Sequence, residues 1–421
     1  MKALADRRLV VLVAGQYSPL LVQLVTGPIL ARALGPTDRG YLGVALILVA
    51  VIPVFASIGT PAAARRLVAE GSDVAAARGA AARSNPVIFV VTVVMSAVAV
   101  YIWFSGLSSV ETIAIFVLLA LSYFGAVRMT ILSLAVGEGS TNIIARYQIV
   151  GACLSGLGIC SLAVLGRIDI VTVCIVYVVS QLAQFAAIFR YGRGPRRQDR
   201  RIDWTYALKS LPGQISDVLL IRVDQLLCSL FLGGHATGVY VVAFSYAFVA
   251  FPLVHSVGLR ISGGKRRDEL LTNSVRVPLS VLCGALCFGV VWSGAAVWVV
   301  PLLFGGDYAE SVPLAAILTF GVVLFSSATV NVQAAVSLGR AHLISVIGLA
   351  AVCLEIVAVI LLGNARTVTT MAVVAVLASG VYYTLSLLVR QRSVLGTRNR
   401  ASSEPDGEES AVPASQNCER G

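Results

Sequence analysis

Charge is scarce in this chain. Asp, Glu, Lys and Arg make up 13 % of its 421 residues while 57 % are hydrophobic; an average soluble protein carries about 25 % charge. The mean hydropathy is +0.88. So much apolar surface exceeds what a core of this size buries, so lipid has to be the solvent for most of the chain. Soluble enzymes, DNA-binding domains and disordered scaffolds are excluded. Metal-ligating residues are equally thin: His235, His255 and His342 are scattered, no CxxC pair occurs, and every cysteine except Cys418 lies in an apolar run. Neither a zinc site nor a disulfide framework is expected, and no cofactor. A phosphate-binding loop of the form GxxxxGK followed by Ser or Thr is missing. The nearest string, Ser262-Gly263-Gly264-Lys265, lacks both the upstream glycine and the hydroxyl, which excludes ATP hydrolysis by this chain. Outward loops are too short and too poor in carboxylates and histidine for a catalytic constellation, so the chain is not expected to be an enzyme such as a polymerase or glycosyltransferase.

What is present is a series of long apolar runs. A helix needs about 20 apolar residues to cross a bilayer, and twelve such runs fall near 9–33, 41–63, 86–106, 110–136, 147–165, 169–189, 204–232, 236–257, 277–303, 312–338, 343–363 and 367–389. The expected fold class is therefore all-α, a polytopic membrane protein of twelve transmembrane helices. The first run follows Lys2, Arg7 and Arg8 and ends in Ala31-Arg32-Ala33, like a secretory signal. It is longer than the roughly 7–15 residues of a signal's apolar region and is read as a helix.

The net charge of +11 would suggest nucleic acid in a soluble chain; here topology explains it, because Lys and Arg collect in cytoplasmic loops. With both termini inside, the basic residues gather before span 1, after spans 2, 6 and 8 and in the tail. Only Arg32, Arg39, Arg167 and Arg366 fall outside, and Arg128, Lys209 and Arg222 lie within spans. Two basic inner loops, Arg65 to Arg83 and Arg260 to Arg276, read as short amphipathic helices on the membrane surface. The organisation expected is an N-terminal six-helix lobe (1–190), a basic linker (191–203), a C-terminal six-helix lobe (204–391) and a disordered cytoplasmic tail (392–421).

An internal repeat supports the two lobes. At an offset of 198 residues Gly15-Gln16-Tyr17-Ser18 lies over Gly213-Gln214-Ile215-Ser216, and Leu34-Gly35-x4-Gly40 over Leu232-Gly233-x4-Gly238. Each half begins on the cytoplasmic side, so the halves are parallel repeats. In transporters built this way the substrate site lies between the halves near the midplane.

Charged groups within a bilayer cost a few kcal/mol each on insertion scales and normally face a wet cavity. On span 7, Ser210, Gln214, Asp217, Arg222, Asp224, Gln225 and Ser229 make about 160° of the helix polar, with a bend available at Pro212-Gly213. Two arrangements fit: a wall of the central cavity, or a network inside the C-terminal lobe in which Arg222 neutralises both aspartates. Span 1 carries the uncharged counterpart, Gln16, Ser18, Gln23 and Thr26, with Pro19 and Pro28 as bends. Glu355 in span 11 is a candidate ion-coupling site, with Arg128 or Arg222 as the expected partner.

These residues resemble the polysaccharide flippases of the O-antigen and teichoic-acid type, within the multidrug, oligosaccharidyl-lipid and polysaccharide exporter superfamily. The matching pieces are Ala31-Arg32-Ala33-Leu34-Gly35-Pro36-x3-Gly40, Arg222-x-Asp224-Gln225-Leu226-Leu227, Gly238-Val239-Tyr240-x2-Ala243, Gly306-Asp307-Tyr308 and Leu338-Gly339-Arg340. The resemblance implies two six-helix lobes around a central cavity in the bacterial cytoplasmic membrane. It also implies movement of an undecaprenyl-pyrophosphate-linked oligosaccharide by alternating access, with glycosyltransferases and a polymerase of the same pathway as partners. A cationic cavity would hold the pyrophosphate, with Arg128, Lys209, Arg222 and Arg32 as its candidates. Two other readings stay open: a cation-coupled multidrug antiporter, motivated by Asp217, Asp224 and Glu355, and a non-transporting scaffold for glycan assembly.

Overall fold

The computed structural model describes residues 7–194, 201–251, 276–337 and 341–403. All regular structure among them is helical: α1 (Arg7–Ala56), α2 (Thr60–Ala69), α3 (Val74–Ala82), α4 (Asn85–Trp103), α5 (Ser109–Ala120), α6 (Tyr123–Glu138), α7 (Thr141–Val164), α8 (Ile170–Ile188), α9 (Trp204–Ala247), α10 (Arg276–Phe304), α11 (Ser311–Ser337), α12 (Ala341–Leu361) and α13 (Val368–Ser403). Polar caps fix several starts. Ser108 and Glu111 form a capping box on α5, Asp169 and Thr172 one on α8, and the Asp203 carboxylate accepts from the Tyr206 N–H at the head of α9.

Ten stretches among the described residues are long and apolar enough to cross a membrane, two of them 40 and 44 residues long. At 1.5 Å per residue either would reach about 60 Å, twice the roughly 30 Å hydrocarbon core, so each makes two crossings. The reversals fall at Gly35 (φ 72°, ψ 174°) in α1 and at Gly233 (φ 81°, ψ −176°) in α9. The two glycines are 198 residues apart, the spacing of the repeat. Each lobe thus has six crossings: the two arms of α1, then α4, α5–α6, α7 and α8, and the two arms of α9, then α10 to α13. The helices break at Gly35 and Gly233, not at Pro19, Pro28 or Pro212-Gly213. A proline within a helix forfeits one hydrogen bond, whereas φ > 0 with an extended ψ ends the helix.

The shared glycines do the same work in both lobes. A Cβ on Gly15 would meet Ala145 of α7 at 2.6 Å, and one on Gly213 would overlap Ser345 of α12, so the first and fifth crossings of each lobe touch at matching points. Between lobes, a Cβ on Gly40 would overlap the Gly234 carbonyl and one on Gly238 the Pro36 carbonyl. The 198-residue offset turns Gly40 into Gly238 and Pro36 into Gly234, exchanging the partners of the two contacts, so α1 and α9 cross about a pseudo-twofold axis with main chain against main chain. Near this crossing Arg32 donates to the Leu302 carbonyl (2.5 Å) and the buried Tyr308 hydroxyl to the Ala31 carbonyl (3.0 Å). At the far end of α9, a Cβ on Gly59 would overlap the Ala207 carbonyl. The second arm of α1 therefore runs antiparallel along the first arm of α9 over its whole length.

The basic loop after span 2 forms α2 and α3, while 260–275 lies outside the described residues. α13 runs to Ser403, and 404–421 lie outside the described residues.

Candidate functional site

A cavity of about 520 Å³ is set within the N-terminal lobe and closed on one side by α9. Most of its lining comes from the N-terminal lobe, and Arg222, Gln225, Val241 and Ser245 of α9 complete it from the other. Gln23 and Thr26 reach it from the first arm of α1, Arg39 from the second, Arg128 from α6, Gln148 from α7, Gln181 and Gln184 from α8, and Arg222 and Gln225 from α9. Among the described residues three arginines line it and no carboxylate does.

Arg128 is held in place. Its Nη1 donates to Gln184 Oε1 at 2.5 Å, and its guanidinium lies 4.8 Å from the centre of the Tyr147 ring. Arg39 is 4 % exposed, and its Nε and Nη1 are buried without a hydrogen bond to protein, as are Arg128 Nε, Gln148 Oε1 and both amide atoms of Gln181. A buried polar group left unmade costs about 1–3 kcal/mol, more when charged, and these unmade groups belong to side chains on four helices around the cavity. Among the described residues, three guanidinium groups and no acid make the lining cationic.

A second cavity of about 240 Å³ adjoins the first, sharing Gln23, Gly27, Arg222 and Ser245. Its other walls are apolar, among them Leu20 and Leu24 of α1, Phe244 and Phe248, and Trp292 and Leu303 of α10. Beside it Leu21, Leu24 and Val25 are 64 %, 45 % and 55 % exposed, so this side of α1 is an uncovered apolar face. Arg222 stands where the polar and apolar spaces meet, its guanidinium 5.6 Å from the Phe244 ring.

The polar face expected on α9 is divided. Arg222 and Gln225 line the cationic cavity, but Asp224 is 6 % exposed and turned into the C-terminal lobe, where its Oδ2 accepts from the Tyr240 hydroxyl at 2.7 Å. The cause is the reversal at Gly233, which folds Tyr240 back over that azimuth of the helix. Asp217, two turns earlier, is exposed and lines neither cavity; Gln214 donates to Ser210 at 3.3 Å, and Lys209 is exposed near the start of α9. Glu355 is 3 % exposed and lies in the field of Asp224 and Tyr240, not beside Arg128 or Arg222 as expected. Among the described residues the ion pairs are those of Arg66 with Glu70 and Asp203, so neither Asp224 nor Glu355 has a cation within 4.0 Å. Arg32 serves the lobe crossing. The Gln16 side chain lies outside those described.

Arg39 was missed as a site residue because the charge count placed it in an outer loop. Its spacing held the signal: Arg39, Gly43, Leu46, Ile47 and Ala50 share one helical face, and all line the cavity. Gln148, Gln181 and Gln184 were visible as amides inside apolar spans.

Twelve crossings in two parallel lobes, with a polar cavity beside the lobe boundary, are the fold of the transporters of the MOP superfamily. Over 94 % of its length the chain superposes on 99 % of an inward-facing multidrug resistance MATE family transporter of that superfamily, with 12 % identity and a TM-score of 0.70. It superposes on lipid II flippase MurJ in an inward closed conformation over 95 % of this chain and 94 % of that one, with 12 % identity and a TM-score of 0.68. A third match, with 14 % identity and a TM-score of 0.56 over 93 % of this chain and 94 % of that one, is a MOP superfamily transporter from Pyrococcus furiosus for which reverse polarity of the binding pocket suggests a different function. No protein-family model and no curated protein matches the sequence.

Proposed function

We propose that the chain is a flippase that moves a pyrophosphate-linked, lipid-carried oligosaccharide across the bacterial cytoplasmic membrane by alternating access, for cell-surface polysaccharide. The observation that carries this reading is the cavity with Arg39, Arg128 and Arg222 and no carboxylate. A cationic drug would meet repulsion there, whereas a pyrophosphate supplies the acceptors that the unpaired guanidinium nitrogens call for. The adjoining apolar cavity, open towards lipid beside Leu21 and Val25, suits the carrier's hydrocarbon chain, so cargo and site are both amphiphilic in the same sequence.

In this proposal the lobes 1–190 and 204–391 rock about the Gly40–Gly238 crossing, both termini are cytoplasmic, and 191–203 links the lobes. Asp224 and Glu355, two buried carboxyls near each other with no cation within 4.0 Å among the described residues, serve as the coupling element. They also favour a second reading, cation-coupled antiport of drugs, in which Asp217 would face the cargo.

Reconstituted full-length protein and a fluorescent undecaprenyl-pyrophosphate oligosaccharide separate the two, with an impermeant reagent reporting the flipped fraction. Arg128→Gln and Arg222→Gln should each slow flipping at least tenfold, and Glu355→Gln should remove the response to an imposed ion gradient. Dye efflux without any flipping would establish antiport instead. Full flipping by both arginine variants would remove the cationic cavity from the mechanism.

A further inference from the structure

Behind the cargo cavity, on the opposite faces of α6 and α8, lies a groove of about 560 Å³. Its floor is aromatic. Tyr123 and Phe124 of α6 and Phe185 and Phe189 form an unbroken ladder with ring centres 5.4, 5.0 and 5.0 Å apart. Its rim is basic. Arg78 of α3 donates to the Phe189 carbonyl at 2.8 Å and to that of Tyr191, and the exposed Arg193 lies 3.5 Å from the centre of the Phe189 ring.

Two like charges thus converge on one ring. Among the described residues no carboxylate lines the groove, and Glu138, the acid on the neighbouring turn, is engaged by Tyr191 and by Ser140 at 2.9 Å. Burial, reinforced by Arg193, holds the Arg78 guanidinium below the ordinary arginine range, so an anion here would relieve both. The rim lies at the membrane surface, where α8 ends and the basic α3 packs. From there the groove follows α6 from Ile131 to Tyr123, about 12 Å into the apolar layer. A phosphate at the surface with a hydrocarbon chain running inward has this shape.

We infer that the groove binds one anionic phospholipid of the adjoining leaflet, with its phosphate between Arg78 and Arg193 and an acyl chain along the aromatic ladder. The inference rests on the membrane-spanning fold and not on the identity of the cargo. It carries a consequence for transport, because the two walls are shared: Val127 and Phe185 face the groove while Arg128 and Gln184 face the cargo cavity. The lipid braces the Arg128–Gln184 pair from behind.

The test uses the full chain in neutral detergent, titrated by native mass spectrometry with phosphatidylglycerol, with phosphatidylcholine of the same acyl chains, and with glycerol phosphate. Phosphatidylglycerol should be retained at least tenfold more tightly than phosphatidylcholine, and glycerol phosphate should not be retained. Arg193→Gln should cut that preference at least fivefold without moving the unfolding midpoint, and Arg167→Gln, on the opposite surface, should leave it intact. Arg78 also caps α8, so Arg193→Gln carries the result if Arg78→Gln does not fold. Equal retention of the two lipids, an undiminished preference in Arg193→Gln, or glycerol phosphate held as tightly as phosphatidylglycerol would each overturn the assignment; the last would make it a phosphate site.

Discussion

Arg39 shows how far function departs from stability at a single residue. Its guanidinium is 4 % exposed with two nitrogens unbonded to protein, an arrangement that costs the fold and benefits only a bound anion. Arg39→Leu should therefore raise the unfolding midpoint in detergent, by about 1–3 kcal/mol of recovered desolvation, while lowering flipping. An unfolding scan beside the transport assay checks both signs, and a variant that loses stability together with transport would contradict the argument. Arg128 is the complementary case, since Gln184 and the Tyr147 ring orient its plane. Arg128→Lys keeps the charge and loses the fork. Apparent affinity for the pyrophosphate-linked cargo should weaken about tenfold, the equivalent of one charge-assisted hydrogen bond, as read from the concentration dependence of flipping.

Within the helices, the decisive positions are those where main chain needs room. Gly35 and Gly233 hold φ values of 72° and 81° with extended ψ, a region closed to side chains at a cost of about 1–3 kcal/mol. Gly35→Ala and Gly233→Ala should each lower stability by that amount, whereas Gly284→Ala, where an added Cβ meets nothing within 4 Å, should stay within about 0.5 kcal/mol of the parent. At this scale the sequence was most legible. Apolar length located the crossings, and the 198-residue offset picked out the glycines that shape both lobes before any geometry was known. The failures have physical causes as well. The polar face of α9 was drawn on an isolated cylinder, on which the return of Tyr240 over Asp224 cannot be seen. Arg39 was lost to a topological count that treats every charge near a reversal as solvated.

Across the whole molecule the charges are segregated: Arg39 and Arg128 of the N-terminal lobe and Arg222 of α9 surround one cavity, while Asp224 and Glu355 are buried in the C-terminal lobe. In the proposed cycle the lobes have to tilt against each other at the Gly40–Gly238 crossing. A Cβ on Gly234 would lie 3.3 Å from Thr37 Cγ2 across that crossing, close to the separation a disulfide needs. Oxidation of a Thr37→Cys, Gly234→Cys double variant should lock the lobes and stop flipping, and a reductant should restore it; unimpaired flipping by the oxidised form would show that the joint stays shut throughout the cycle. The reciprocal fit of Gly40 and Gly238 limits how such a protein can evolve. At these two positions the joint is backbone against backbone, with no side chain to trim. Every replacement thickens it, so mutation can jam the hinge but never slacken it, and any adaptive tuning of how readily the halves part has to be written nearby, in residues such as Arg32 and Tyr308 that latch the same edge.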